Sequence, residues 1–317
     1  MPKNFLSLVK NKKVIIAIVL VIVIAAIYHN LPDTKIGAVK SGTISKNDYE
    51  KIVATNIEKF QPKYDWYREN QGTIGLTAKS AIVIDPNNGD ILYAKNEHEK
   101  LPPASIAKIL TLTIVLENMK LDSLCTVSQN AADTQPNKIT MKAGEEMKVE
   151  DLIYGLMMIS ANDAAEVLAE CFPEGREKFI EKMNEKVKEL GLTDSNFVDP
   201  SGLNDETQYS SAFDMATITR YLLNTRPESI KYLGRKEDYS VYPTDHNESH
   251  YWYQISHLLK TFAGMEGAKT GYTHIAKNTY VGIVKKGEKR IVIVYLAAET
   301  TTSDATTLIE YGFSAKP

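Results

Sequence analysis

Cysteine is scarce in this 317-residue chain: Cys125 and Cys171 are the only two. That excludes a disulfide-stapled scaffold, leaves at most one bridge, and makes two small buried hydrophobes the plainer reading. Charge of one sign is lacking too. A formal net charge of -3 leaves no basic field over the body of the chain, so nucleic acid is not an expected partner. Internal repeats and low-complexity tracts are absent. With 43% hydrophobic and 24% charged residues the composition is neither disordered nor fibrous, and the length fits one large domain, or two lobes sharing a core, with some extra at one end.

The extra lies at the N-terminus. Lys3, Lys10, Lys12 and Lys13 precede any acidic residue, and an unbroken apolar run from Val14 to Tyr28 follows. This pattern is a targeting or anchoring segment. The run is long for a signal peptide and short for a full span, and no small-x-small cleavage site follows directly; an uncleaved membrane anchor through residues 14–28 is the favoured expectation. The lysines would stay cytoplasmic and place the remainder on the extracytoplasmic side. The expected division is therefore 1–30 basic tip and anchor or signal, 31–73 spacer with a helix around 48–60, and 74–317 folded domain.

Within that domain Ser80–Ile84 and Asp90–Ala94 read as two strands around the turn Asp85-Pro-Asn-Asn-Gly89. Helical periodicity follows over 105–119, 150–159, 163–171, 175–190 and 212–224. Strands return at 279–284 and 290–296 around Lys285-Lys-Gly-Glu-Lys289, with a last helix near 305–311. Strands at both ends must pair around a helical insert.

Three short elements carry chemistry: Ser105-Ile-Ala-Lys108, Ser160-Ala-Asn162 and Lys269-Thr-Gly271. Pro102 and Pro103 cannot continue a helix, so Ser105 falls at a helix start, and a spacing of three puts Lys108 on its face. A serine hydroxyl must lose its proton as it attacks. A desolvated lysine can take that proton at neutral pH, the more so if Lys269 adds positive charge nearby. Backbone N–H groups at the helix start and on an edge strand would meet the developing oxyanion. Gly271 suits a strand edge that a substrate backbone approaches. Ser160 and Asn162 would supply a relay hydroxyl and a holding amide across the cleft. The patterns alone are weak, since Ser7-Leu-Val-Lys10, Lys40-Ser-Gly42, Ser45-Lys-Asn47 and Ser128-Gln-Asn130 match equally well.

Context separates them. Asp85-Pro-Asn-Asn-Gly89, Pro103-Ala-Ser-Ile-Ala-Lys108, Val149-Glu-Asp-Leu-Ile-Tyr-Gly-Leu-Met157, Ser160-Ala-Asn-Asp-Ala-Ala165, Asp199-Pro-Ser-Gly-Leu203 and Gly267-Ala-Lys-Thr-Gly-Tyr-Thr273 together resemble the serine-type D-Ala-D-Ala carboxypeptidases of the penicillin-recognising superfamily, over residues 78 to 313. The resemblance implies an α/β (α+β) transpeptidase/β-lactamase-like fold, an antiparallel sheet from both chain ends covered by helices beside an all-helical lobe. It implies a Ser105 acyl-enzyme, with Lys108 as base and Ser160 in proton relay. Asn162, Lys269, Thr270, Gly271 and Tyr272 would bind substrate, Thr270 holding its terminal carboxylate and the N–H groups of Ser105 and Tyr272 its oxyanion. Peptidoglycan stem peptides ending in D-Ala-D-Ala would be substrates and β-lactams covalent inhibitors, with no cofactor and no metal.

Two departures stand out. Phe213 occupies a position where many relatives carry arginine, and Thr300 to Asp304 contains none; Lys277 or His274 could supply a replacement charge for the substrate carboxylate. His246 and His250 stand four apart with Glu248 between them and would make a metal site only if the segment were helical; their surroundings read as a solvated loop, and no third ligand is identifiable. Tyr251, Trp252 and Tyr253 read as packing or as a cleft lining. A β-lactamase, a DD-endopeptidase and a non-catalytic penicillin sensor remain the alternatives, and no Glu-x-x-Leu-Asn-like element for fast deacylation lies between Ser160 and Lys269.

Overall fold

Alternate residues of the long strands face two different hydrophobic layers, which makes their sequences apolar throughout rather than alternating. The computed structural model describes residues 46–69, 72–203 and 207–315. The apolar run 14–28 and the spacer up to residue 45 lie outside the described residues. Among the described residues no helix is long and apolar enough to cross a membrane.

Strands β1 (Ser80–Ile84), β2 (Ile91–Lys95), β3 (Met265–Thr273), β4 (Lys277–Lys286) and β5 (Lys289–Ala298) form one antiparallel sheet in the order β2-β1-β5-β4-β3. The pairing of β1 with β5 joins the two ends of the domain, as expected, and β3 is left on an edge. Ile82, Ile84, Val281, Ile283, Val292 and Val294 pack on one face with the helices Lys108–Asn118 and Ala212–Thr225. Val83, Ile291, Ile293 and Tyr295 pack on the other with Ala305, Leu308 and Ile309 of the helix Thr302–Ser314. The first layer continues into a helical lobe of Val149–Met158, Asn162–Glu170 and Arg176–Glu189.

The predicted helices and strands recur within a few residues of their expected bounds, with two differences. Residues 31–73 read as spacer, yet the compact body runs from Tyr49. The helix Lys46–Phe60 buries Phe60 against Tyr221, Gln61 Nε2 donates to the carbonyls of Leu190 and Gly191, and the Lys63 backbone donates to the Gly89 carbonyl and accepts from the Ile91 amide. A polar surface around scattered aromatics conceals such a packed edge from a reading by composition. The second difference is the cysteines. Cys125, in the strand Leu124–Thr126, is bonded to Cys171, the C-terminal cap of the helix Asn162–Glu170. They are not two separate small hydrophobes. Pairing required the helix and strand to approach to a Cα separation of 5.5 Å, which a separation of 46 residues does not disclose.

Closing a loop of that length restricts the unfolded chain, so replacing both cysteines by alanine is expected to lower unfolding stability by about 2–4 kcal/mol. Denaturant titration of the oxidised parent against the double variant measures the difference, and equal midpoints would refute it.

Candidate active site

Two prolines end the chain's freedom just before the short 3-10 turn Ala104–Ala107, which carries Ser105 and runs into the helix starting at Lys108. Ser105 thus sits one tight turn ahead of the α-helix rather than in it. Ala104 has a φ of +48°, a conformation that costs an L-residue energy. Its neighbours hold it there. Gly202 lies so close that a Cβ would come within 1.9 Å of the Ala104 carbonyl oxygen, and Thr279 Oγ1 donates to the Pro103 carbonyl at 2.8 Å.

Lys108 is fully buried and its Nζ has three partners: Ser105 Oγ at 2.9 Å, Asn162 Oδ1 at 2.7 Å and the Ser201 carbonyl at 2.5 Å. Two of the three are oxygens that can only accept. A neutral amine has two N–H bonds and one lone pair; with both N–H bonds given to Asn162 and Ser201, the lone pair points at the Ser105 hydroxyl. Burial pushes the ammonium pKa down to about 7, against the upward pull of Asp199, Asp163 and Glu166. Desolvation, as expected, is the main cause, and Lys269's charge is not among the contributions to it. Lys269 is itself well below its ordinary value, first through burial and then through Lys108.

Ser160 and Asn162 enter from the facing lobe, in the bend between the helices Val149–Met158 and Asn162–Glu170. Ser160 adopts a φ of +62°, and Lys269 Nζ donates to its Oγ at 2.8 Å and to the Thr270 carbonyl at 2.7 Å. Asn162 cannot flip its amide, because Nδ2 donates to the Gln135 carbonyl at 2.9 Å while Oδ1 receives Lys108. All three sequence elements therefore converge, linked in two lysine–serine pairs.

The edge strand β3 supplies the remaining wall. Thr270, Gly271, Tyr272 and Thr273 border a cleft of about 400 Å³ with Ser105 at its base. Gly271 is required by close approach: a Cβ there would sit 2.8 Å from the Ser105 amide nitrogen and 2.3 Å from Thr279 Oγ1. The geometry suits an extended acyl chain laid along β3 with its carbonyl over Ser105 Oγ.

One contributor was quoted in the sequence without a role. In Asp199-Pro-Ser-Gly-Leu203, Asp199 Oδ1 accepts from the Ser201 and Gly202 amides at 2.8 and 2.7 Å and from Ser201 Oγ at 2.8 Å. This turn aims the Ser201 carbonyl at Lys108, a backbone contact that carries no residue-type signature. Other expectations fall away from the site. Phe213 is buried between Tyr64 and His98. Neither Lys277 nor His274 is among the residues lining the cleft. His274 lies in the connection between β3 and β4, and Lys277 opens β4 opposite Thr273. His250 lies in a strand and forms a buried pair with Glu145 at 2.7 Å, while His246 is exposed. Trp252 is buried against Tyr239, whereas Tyr251 and Tyr253 are exposed. The look-alike Ser128 caps a short helix, accepting from the Ala131 amide at 3.0 Å.

The chain is similar to proteins that are already known. The sequence profile of the D-alanyl-D-alanine carboxypeptidase family matches residues 67–300. The chain is 38% identical over 247 residues to the D-alanyl-D-alanine carboxypeptidase DacF of Bacillus subtilis, covering 75% of this chain and 62% of that protein, so it spans less than two thirds of that relative. It is 32% identical to DacB2 of Mycobacterium tuberculosis, covering 76% of this chain and 84% of the relative. Among solved structures, the Streptomyces K15 DD-transpeptidase superposes with a TM-score of 0.72 at 26% identity, over 77% of this chain and 99% of that one. A D-alanyl-D-alanine carboxypeptidase from Mycobacterium tuberculosis H37Rv gives a TM-score of 0.71 at 27% identity, over 78% and 96% of the two chains. With a matching profile over most of its body, the same fold and the lysine–serine pairs at one cleft, the chain belongs to the D-alanyl-D-alanine carboxypeptidase family.

Proposed function

We propose that the protein is a serine D-Ala-D-Ala carboxypeptidase that cleaves peptidoglycan stem peptides through a Ser105 acyl-enzyme and is acylated by β-lactams. The observation that carries this reading is the placement of Lys108 Nζ between two acceptor-only oxygens and the Ser105 hydroxyl. In acylation Ser105 Oγ bonds to the scissile carbonyl carbon and its proton passes to Lys108. The C–N bond then breaks, and the departing amine takes a proton through Ser160, which is in contact with Lys269. The amides of Ser105 and Tyr272 stabilise the oxyanion, Gly271 admits the substrate backbone, and Asn162, Lys269 and Thr270 hold it. Water, activated by Lys108 and Ser160, releases the acid. The catalytic domain works on the extracytoplasmic side, held at the membrane by residues 14–28; the four lysines and the apolar run support this.

A fluorescent penicillin and a D-Ala-D-Ala pentapeptide test the reading together on the full chain. Labelling and D-Ala release are both expected, and both are expected to vanish in Ser105→Ala. No Glu-x-x-Leu-Asn-like element for fast deacylation lies between Ser160 and Lys269, so the penicilloyl adduct is expected to persist for minutes or longer by intact-mass spectrometry. Clearance within seconds would identify a β-lactamase instead.

A further inference from the structure

Besides β3, the cleft is lined by Pro136 and Asn137, in a segment of residues 135–141 that belongs to no helix or strand. With no ladder of its own, this backbone needs partners elsewhere. Two consecutive residues supply them. The Asn162 amide donates to the Asn137 carbonyl at 2.7 Å, and Asn162 Nδ2 donates to the Gln135 carbonyl at 2.9 Å. Asp163 takes the groups of opposite polarity. Its Oδ1 accepts from the Ile139 amide at 2.9 Å and from the Ala164 amide at 2.8 Å, and its Oδ2 accepts from the Thr140 amide at 2.9 Å.

Asp163 is fully buried, where a carboxylate is costly unless its oxygens are bonded. Burial raises its pKa, with the amides of Ile139, Thr140, Ala164 and Met141 acting against the rise. Thr140 is held at a φ of +71°, a conformation an L-residue keeps only when its surroundings impose it. The segment so clamped also reaches the reacting groups. Its Gln135 carbonyl fixes the Asn162 amide, and Asn162 Oδ1 in turn accepts from Lys108 Nζ at 2.7 Å.

We infer that Asp163 is a positioning residue for acyl transfer: by clamping residues 139 and 140 it holds the wall made by Pro136 and Asn137 and keeps the Asn162 amide oxygen on Lys108. It touches no substrate. The inference rests on the proposed acyl-enzyme reading, because Asp163 acts through the base of that reaction.

Asp163→Asn keeps the size of the side chain but sets an N–H donor where one oxygen stood, facing backbone N–H groups, so at least one tie is lost. The segment slackens and the Asn162 amide is released. A charge is lost as well. Asp199, Asp163 and Glu166 pull the Lys108 pKa upward against burial, and Lys269 on β3 is the neighbouring cation. Without Asp163 the ammonium is held less firmly, and the free amine persists to lower pH.

The experiment follows penicillin acylation of the full-length protein in detergent micelles and reads two quantities separately. Intact-mass spectrometry gives the fraction labelled at completion, and stopped flow from pH 5 to 9 gives the rate constant of that fraction. In Asp163→Asn the rate constant at pH 8 is expected to fall about tenfold or more. The pH below which the rate declines is expected to move down by about half a unit or more. A residue that only supports folding would lower the labelled fraction and leave both quantities unchanged. Either an unchanged rate constant or an unmoved decline overturns the inference. Hydrogen exchange on the parent protein supplies a second measurement. The amides of Ile139 and Thr140 are expected to exchange at least about a hundredfold more slowly than in a free chain. Free-chain exchange there overturns the clamp even if Asp163→Asn does not fold. Absence of labelling in the parent defeats the acyl-enzyme reading itself, whereas a labelled parent with parent-like kinetics in the variant defeats the role of Asp163 alone.

Discussion

Substituting Lys108 by arginine is expected to reduce the rate of penicillin acylation on the order of a thousandfold or more, at every pH, because a guanidinium cannot surrender its proton. The parent enzyme should show a pH dependence that the variant lacks. Burial brings Lys108 down to about 7, and only the unprotonated amine accepts the Ser105 proton. The acylation rate constant is therefore expected to fall about tenfold per pH unit below about 7 and to level off above it. Stopped-flow measurement from pH 5 to 9 checks this. A rate independent of pH across that range would remove Lys108 from the role of base. The low pKa arises from desolvation and not from a neighbouring cation, so Lys269→Met is not expected to abolish the acid limb; an acid limb lost in that variant would show that Lys269 sets it.

Gly202→Ala should be nearly as damaging, although the residue touches no substrate. Its φ of +87° is unfavourable for alanine, and the new Cβ would meet the Ala104 carbonyl oxygen at 1.9 Å. Neither group can yield alone, since the oxygen is backbone and Ala104 is already held at positive φ. Either the Asp199–Leu203 turn retreats and takes the Ser201 carbonyl off Lys108, or Ala104 moves and displaces Ser105. Displacement by about 1 Å is enough to cost on the order of a hundredfold in rate. The expected result is that loss in acylation, with a drop of about 1–3 kcal/mol in stability. Acylation kinetics and a thermal melt on the same preparation measure both, and parent-like acylation would show that the turn does not position the nucleophile.

Much of the body was legible in the chain because it depends on local signals. The apolar runs that became β1, β4 and β5 are bounded by turn residues, and the helices after Lys148, Ala161 and Ser211 begin within a residue of where periodicity places them. The serine–lysine spacing at 105 and 108 was equally visible. Its weight came from two distant elements, since the same pattern at Ser128 makes only a helix cap.

Tertiary structure decided what depends on distance between remote segments. The joining of Cys125 to Cys171, the packing of Phe60 onto the body and the burial of Phe213 all bring together residues far apart in sequence. The same holds for the electrostatics of the site, because desolvation is set by everything packed around an atom and no window of sequence reports it. So Ser105 and Lys108 could be named from the chain as nucleophile and base candidates. That Lys108 is held between the Asn162 amide oxygen and the Ser201 carbonyl, with Ser105 Oγ as its third partner, follows only from the fold, which brings these remote segments to one nitrogen.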